Sequence, residues 1–147
     1  MTAENLNFNM IQTVIFDMDG VIVDTEPVHH FAYYQHFKEL NIEVSDEMYR
    51  SFTGNSTRNI FQKLKSQFDL QEDVEDLILR KRHLFNEAFD LKEDLYLIEG
   101  VEELIKDLHA NGIQLIVASS ASKVTIHRVF TRFNLHQYFT YIVSGED

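Results

Sequence analysis

Cysteine is absent from this 147-residue sequence, and long hydrophobic runs are absent as well. Without cysteine, the chain can form neither a disulfide framework nor a thiolate metal site. No run is long enough to predict a membrane span, and the polar first ten residues lack the pattern of a signal peptide. We therefore expect a cytoplasmic protein that does not bind membranes.

Basic residues are scarce: 13 Lys and Arg stand against 24 Asp and Glu, which gives a formal net charge of −11. This charge repels nucleic-acid phosphates and anionic lipids, so neither is an expected partner. A phosphorylated small molecule would need a local positive charge, such as a metal ion, to be bound. Hydrophobic residues make up 44% of the chain, as in an ordinary globular core. Its length fits one domain, or one domain that carries an inserted subdomain.

Hydrophobic patterning predicts an α/β protein. A short β-rich run at residues 13–16 is typical of a buried strand, and further strands are predicted at 113–118 and 140–143. A helix lies between the two later strands, so together they form a βαβ unit with a right-handed crossover. After the first strand, the sheet breaks off for roughly seventy residues of helical pattern and resumes near Gly100.

The intervening segment carries helical patterns. Helices are predicted to begin at Thr25 and near Ser56, and the clearest one runs from about Glu72 to Phe89. An amphipathic helix follows Gly100 and precedes the second strand. We interpret this arrangement as a helical subdomain inserted after the first strand.

Two aspartates, Asp17 and Asp19, follow the first predicted strand in the stretch "VIFDMDGVIVDTEP". In extended chain, side chains two residues apart point to the same side, so both carboxylates face one site. Ser119 and Ser120 end the second strand in "LIVASSAS", and ligands of parallel sheets bind at such strand ends. Two close carboxylates repel each other unless a proton or cation intervenes, and Mg²⁺ is the cation that prefers oxygen ligands.

Simpler interpretations of this pair remain open at the level of spacing alone. Asp-x-Asp after a strand is also compatible with a solvated turn, or with a helix cap formed by Asp24 or Thr25. An EF-hand loop is excluded, because that loop requires a glycine at its sixth position and a glutamate at its twelfth.

The segment "VIFDMDGVIVDT" resembles the first signature of the haloacid-dehalogenase-like phosphatases and phosphomutases, an apolar strand followed by Asp-x-Asp-Gly. The segment "LIVASS" resembles the second signature, with Ser119 in the motif position. A helical insertion between the two is the cap of the β-phosphoglucomutase-like subgroup. The resemblance implies a Rossmann-like parallel-sheet core at residues 1–25 and 95–147, with an all-helical cap at residues 26–94.

The resemblance also implies roles for these residues. Asp17 would be the nucleophile that forms an aspartyl-phosphate, and Asp19 would be the general acid and base. Mg²⁺ would bind the Asp17 carboxylate and the backbone carbonyl of Asp19. The phosphate oxygens would be held by Ser119 and by backbone groups at Met18, Asp19 and Ser120.

Several cap residues also match the resemblance by position. His29 falls at the histidine of the pattern Asp-Thr-x-x-x-His, although a partly buried aromatic-face histidine would look the same. Lys81 lies within an apolar stripe, so it either extends along its methylenes to solvent or points into a cleft. "TGNSTR" resembles the cap substrate loop and contributes Gly54 and Arg58. It places Thr57 where the mutase has its phosphate-binding arginine, which weakens the match to a mutase.

The sequence ends at "VSGED", before the lysine and acidic pair of the third and fourth signatures. We therefore expect either a fragment or a truncated form, poorly soluble and nearly inactive by itself. The predicted function is Mg²⁺-dependent phosphoryl transfer on a small phosphorylated sugar by a monomeric phosphatase or phosphomutase. The alternative is a non-catalytic module that binds a phosphometabolite or another protein. It would explain the absent signatures but leaves the aspartate pair without a purpose.

Overall fold

Three parallel strands form the sheet in the computed structural model, which describes residues 11–145. They are β1 (Thr13–Phe16), β2 (Gln114–Ser119) and β3 (Tyr141–Ser144), in the spatial order β1-β2-β3. The prediction about a signal peptide concerns the first ten residues and lies outside the described part. The α/β fold and the parallel βαβ unit are confirmed, and the two later strands begin and end one residue after their predicted bounds.

The register of the strands aligns the chain segments that leave the sheet. Phe16 pairs with Val117, so the aspartate after β1 leaves the sheet beside the end of β2. Ser119 pairs with Ser144, so the chain after β3 lies next to the loop that follows β2. The carboxyl ends of all three strands therefore meet at one edge of the sheet, where parallel sheets bind ligands.

The prediction of a buried β1 is wrong in part. Phe16 faces the core, but the side chain of Ile15 is 65% exposed. β1 pairs with β2 alone and forms an edge of the described sheet. No helix of residues 11–145 covers the outward face of β1 well enough to bury Ile15.

The helices follow the predicted pattern with one addition. Their bounds are α1 Glu26–Glu39, α2 Asp46–Arg50, α3 Thr57–Phe68, α4 Val74–Leu91, α5 Val101–Ala110 and α6 Lys123–Arg132, with a 3-10 helix at His136–Tyr138. The sequence did not predict α2, because a helix of five residues is too short to show an apolar period. Within residues 11–145, no helix is both long enough and apolar enough to cross a membrane.

Buried hydrophobic side chains form two clusters. One lies around the sheet and includes Phe16, Ile105, Leu115 and Phe130. It also takes in parts of α1 and α4, among them Phe85 and Phe89. The other cluster lies within the helical segment, between α1, α3 and α4, and includes Phe37, Phe61 and Leu77.

The two long helices α1 and α4 therefore contribute to both clusters. The residue bounds expected for the sheet domain and the helical cap stay a prediction, since these helices connect the two parts continuously.

Candidate active site

A cavity of about 560 Å³ opens at the carboxyl ends of β1 and β2, below the helical segment. Six of the residues that the sequence singled out line it: Asp17, Asp19, His29, Gly54, Lys81 and Ser120. They come from the loop after β1, from α1, from the loop before α3, from α4 and from the loop after β2. The fold thus brings together side chains that lie far apart in the sequence.

The two aspartates are held differently. Asp17 is exposed at the cavity, and one of its carboxylate oxygens accepts a hydrogen bond from the backbone N–H of Met18 at 2.7 Å. The side chain of Met18 is fully buried and fixes this part of the loop in the core around the sheet. A carboxylate that is anchored yet open to the cavity can approach a substrate atom directly.

Asp19 is held by two side chains through the same carboxylate oxygen. Its Oδ1 accepts hydrogen bonds from the Thr25 hydroxyl and from His29 Nε2, the latter at 3.1 Å. Burial by itself raises the pKa of Asp19, but the hydrogen bond and charge of His29, together with Thr25 and Lys81, bring the pKa below its usual value. The second oxygen, Oδ2, is outside these two contacts and is the one suited to exchange a proton with a ligand.

His29 and Lys81 continue this chain of contacts. Lys81 Nζ lies 2.8 Å from His29 Nδ1 and 4.6 Å from the centroid of the Tyr33 ring, and the His29 ring stacks on Phe85. Burial lowers the pKa of Lys81 to about 8, although Asp19 and Glu26 oppose this shift. Burial, followed by the charge of Lys81, lowers the pKa of His29.

These contacts fix the tautomer of His29. An ammonium group can only donate, so Nδ1 of His29 accepts from Lys81 and Nε2 carries the proton that it donates to Asp19. Lys81 is 5% exposed, so it points into the protein rather than along its methylenes to solvent. His29 has the features of both interpretations made from the sequence: its ring packs on an aromatic side chain, and its Nε2 atom contacts Asp19 in the cavity.

Three of the predicted site residues lie away from the cavity surface. Met18 is buried beneath it. Ser119 is buried, and its hydroxyl accepts a hydrogen bond from the backbone N–H of Ala121 at 3.1 Å. Arg58 forms an exposed ion pair with Glu75 at 2.5 Å, and its neighbour Thr57 lines the cavity instead.

Sequence reasoning missed three residues that the structure brings into the site. Thr25 was interpreted as a helix cap, but its side chain makes no capping hydrogen bond and contacts Asp19 instead. Glu26 and Tyr49 both line the cavity, and the Tyr49 hydroxyl donates to Glu26 Oε1 at 3.1 Å. Tyr49 belongs to α2, the helix that showed no apolar period, so no sequence signal gave its location.

The donor set fits Mg²⁺ through a small number of protein ligands. Residues 11–145 contain no cluster of three or more metal-ligating His, Cys, Asp or Glu side chains. Mg²⁺ commonly takes one or two carboxylates and completes its shell with water and substrate phosphate. Asp17 and Asp19 line the same cavity, so they could supply the carboxylates for this kind of coordination. A structural zinc site would instead require four nitrogen or sulfur ligands.

Comparison with known proteins decides the family. The model of the haloacid dehalogenase-like hydrolases matches residues 14–147, which is most of the chain. The chain belongs to the haloacid dehalogenase-like hydrolase family. The family resemblance of its two sequence signatures is therefore confirmed, while the roles of the individual site residues stay predictions.

Individual known proteins resemble the chain over most of its length. A phosphorylated carbohydrates phosphatase from Thermotoga maritima is 28% identical over 140 residues, which cover 92% of this chain and 62% of that protein. CbbY from Rhodobacter sphaeroides in complex with phosphate has a TM-score of 0.79 at 23% identity, covering 93% of this chain and 64% of CbbY. YfnB from Bacillus subtilis bound to magnesium has a TM-score of 0.66 at 21% identity, covering 93% of this chain and 66% of YfnB. This chain spans about three-fifths of the length of the curated relatives it matches.

Proposed function

We propose that the protein is a Mg²⁺-dependent phosphatase that transfers the phosphoryl group of a small phosphorylated sugar to water through Asp17. The observation that carries this proposal is the pair of carboxylates in one cavity, with Asp17 open to it and Asp19 held by Thr25 and His29. The T. maritima relative named for phosphorylated carbohydrates supports the substrate class, and the family supports hydrolysis.

In the first half of the reaction, a carboxylate oxygen of Asp17 attacks the phosphorus atom and the bond from phosphorus to the sugar oxygen breaks. Asp19 gives its proton to that oxygen, so the sugar leaves as an alcohol. In the second half, a water molecule attacks the phosphorus of the aspartyl-phosphate and Asp19 takes the proton from the water. Asp17 is then released as a carboxylate together with inorganic phosphate.

The contacts of Asp19 suit both directions of this proton transfer. His29 and Thr25 hold one oxygen in place, so the other keeps a constant position toward the substrate. Burial raises the pKa of Asp19, but His29, Thr25 and Lys81 together bring it below its usual value. A bound phosphate dianion adds negative charge nearby and favours the protonated form that the first step requires.

Mg²⁺ would be held by the Asp17 carboxylate and the Asp19 backbone carbonyl. When bound, it would neutralise negative charge on the phosphate and on Asp17. The charge of the chain supports this part of the proposal, since the formal net charge is −11 and Asp17, Asp19 and Glu26 all line the cavity. The magnesium bound to YfnB supports this assignment.

Substitution of the two exposed aspartates of the β1–α1 loop tests the proposal. Asp17→Asn should abolish Mg²⁺-dependent hydrolysis of p-nitrophenyl phosphate and of a hexose phosphate. Asp24→Asn removes the same charge from the same loop at a residue that does not line the cavity, and it should stay close to wild type.

The outcome also separates the two candidate functions. Turnover by Asp17→Asn above about a tenth of the wild-type rate would contradict the role of Asp17. In a protein extended to the length of its relatives, binding of sugar phosphate without hydrolysis would favour the non-catalytic module.

A further inference from the structure

The cavity carries more negative charge than a phosphoryl-transfer site with two aspartates requires. Glu26 adds a third carboxylate, and Lys81 is the one lysine or arginine among residues 11–145 that lines the cavity. The charge balance at the wall of the cavity is therefore negative before any ligand binds.

Glu26 is exposed, and its carboxylate is oriented by a hydrogen bond and by its place in a helix. It lies in the first turn of α1, where the helix dipole favours a carboxylate, and it accepts a hydrogen bond from the Tyr49 hydroxyl at 3.1 Å. Tyr49 in turn packs against Phe52 and Tyr33, with ring centroids 6.1 and 5.9 Å apart. Burial, with a smaller contribution from the charge of Glu26, raises the pKa of Tyr33 and Tyr49, and the same charge opposes the lowering of the Lys81 pKa by burial. All three residues line the cavity.

The wall on this side offers hydroxyl and amide groups instead of cations. Thr53 and Asn55, between α2 and α3, line the cavity together with Thr57, the first residue of α3. Arg58 is held by Glu75 on the outer surface. A sugar hydroxyl can donate to the Glu26 carboxylate, whereas a phosphate group, which carries only negative charge and acceptors, would be repelled by it.

We propose that Glu26, held by Tyr49, is a specificity-determining residue that selects sugar monophosphates and rejects bisphosphates. This inference rests on the proposed function and deepens it, because it concerns the end of the substrate that does not react. It also favours the phosphatase over a phosphomutase, whose turnover requires the same cavity to hold a bisphosphate. The sugar end that binds near Glu26 is uncharged and carries hydroxyl groups.

Glucose 6-phosphate and glucose 1,6-bisphosphate are a matched pair of probes, because they differ by one phosphoryl group. Their dissociation constants are measured by calorimetry with Mg²⁺ in the Asp17→Asn background, where turnover does not interfere. The same comparison is made after Glu26→Gln, and after Glu43→Gln as a control. Glu43 is an exposed glutamate that does not line the cavity, so its loss changes the net charge equally.

We expect Glu26→Gln to reduce the preference for the monophosphate roughly tenfold, as the loss of one nearby charge predicts, while Glu43→Gln leaves it unchanged. Tyr49→Phe should reduce the preference by a smaller factor, because it frees Glu26 without removing its charge. An unchanged preference in Glu26→Gln, or failure of both probes to bind, would overturn the proposal.

Hydrolysis of the two probes by chains with intact Asp17 separates this inference from the proposed function. If the wild type hydrolyses neither probe while the binding preference still depends on Glu26, the proposed function fails and the specificity holds. If the wild type hydrolyses both equally well, and Glu26→Gln does not alter their ratio, the specificity fails and the phosphatase holds.

Discussion

Lys81 carries its ammonium group inside the protein, in contact with His29 and above the ring of Tyr33. A pKa lowered from 10.5 to about 8 corresponds to roughly 3 kcal/mol of cost for keeping the charged form in the folded state. Between these two pH values the unfolded chain binds more protons than the folded chain, so the stability of the wild type rises with pH across this window. The structure therefore keeps a lysine that opposes folding at neutral pH.

We predict that Lys81→Met raises the free energy of unfolding at pH 7 by about 1–3 kcal/mol. The gain should shrink as pH rises from 8 toward 10.5, because the wild-type lysine then becomes neutral in the folded state. The same variant should use a hexose phosphate poorly, with a smaller loss on p-nitrophenyl phosphate, if Lys81 serves the sugar.

Urea unfolding at pH 7 and pH 10 measures this effect, with Lys63→Met as the control. Lys63 is exposed on α3, so its replacement should change stability little at either pH. A loss of stability in Lys81→Met at pH 7 would show that its contacts with His29 and Tyr33 outweigh the cost of burial.

At the scale of elements, the loop after β2 is shaped by the chain that leaves β3. The N–H of Gly145 donates to the carbonyl of Ser119 at 2.8 Å. A Cβ atom at residue 145 would lie 2.9 Å from the carbonyl oxygen of Ser120 and 3.0 Å from its Cα atom. Both are backbone atoms, so a side chain at this position must displace the segment that brings Ser120 to the cavity.

Gly145→Ala should therefore raise the KM for phosphate esters several-fold and lower the free energy of unfolding by about 1–3 kcal/mol. Gly112→Ala is the matched control. Gly112 has a φ of 75° and would meet no atom within 4 Å, so alanine there costs stability through backbone strain alone. Equal effects of the two variants on KM would contradict the shaping role of Gly145.

Sequence patterns predicted the elements well where each had a period or a terminal signal. The apolar stripe of α4 and the helix start at Ser56 are examples, and the side chain of Ser56 caps α3 by accepting from Asn59 N–H. The exposure of Ile15 could not be predicted, because a short apolar run looks the same in an edge strand as in a buried one.

The shared orientation of the two aspartates was also predictable, because side chains alternate along an extended chain. Their location beside the end of a second strand was predictable because the carboxyl ends of parallel strands lie at one edge of the sheet. The contacts of Thr25 and Tyr49 were not, because they depend on how distant elements pack. Thr25 follows the pattern of a helix start, and only the folded chain shows that its hydroxyl contacts Asp19 instead.

At the scale of the whole molecule, the site is built where the two hydrophobic clusters meet. Asp17 and Asp19 come from the loop after β1, while His29 and Lys81 project from α1 and α4, which contribute to both clusters. The contacts from Lys81 through His29 to Asp19 therefore connect the helical segment to the sheet. Under the proposed function, Mg²⁺ would accompany a phosphate dianion here and would offset part of the repulsion from a chain whose formal net charge is −11.

Detection of a phosphoryl group on Asp17 tests the central claim most directly. The protein is mixed with Mg²⁺ and acetyl phosphate, quenched in acid, digested and analysed by peptide mass spectrometry. The account predicts that an acid-stable phosphoryl group appears on the peptide containing Asp17, depends on Mg²⁺, and is absent in Asp17→Asn. Turnover without any phosphorylated peptide, or with the phosphoryl group on a different residue, would contradict it.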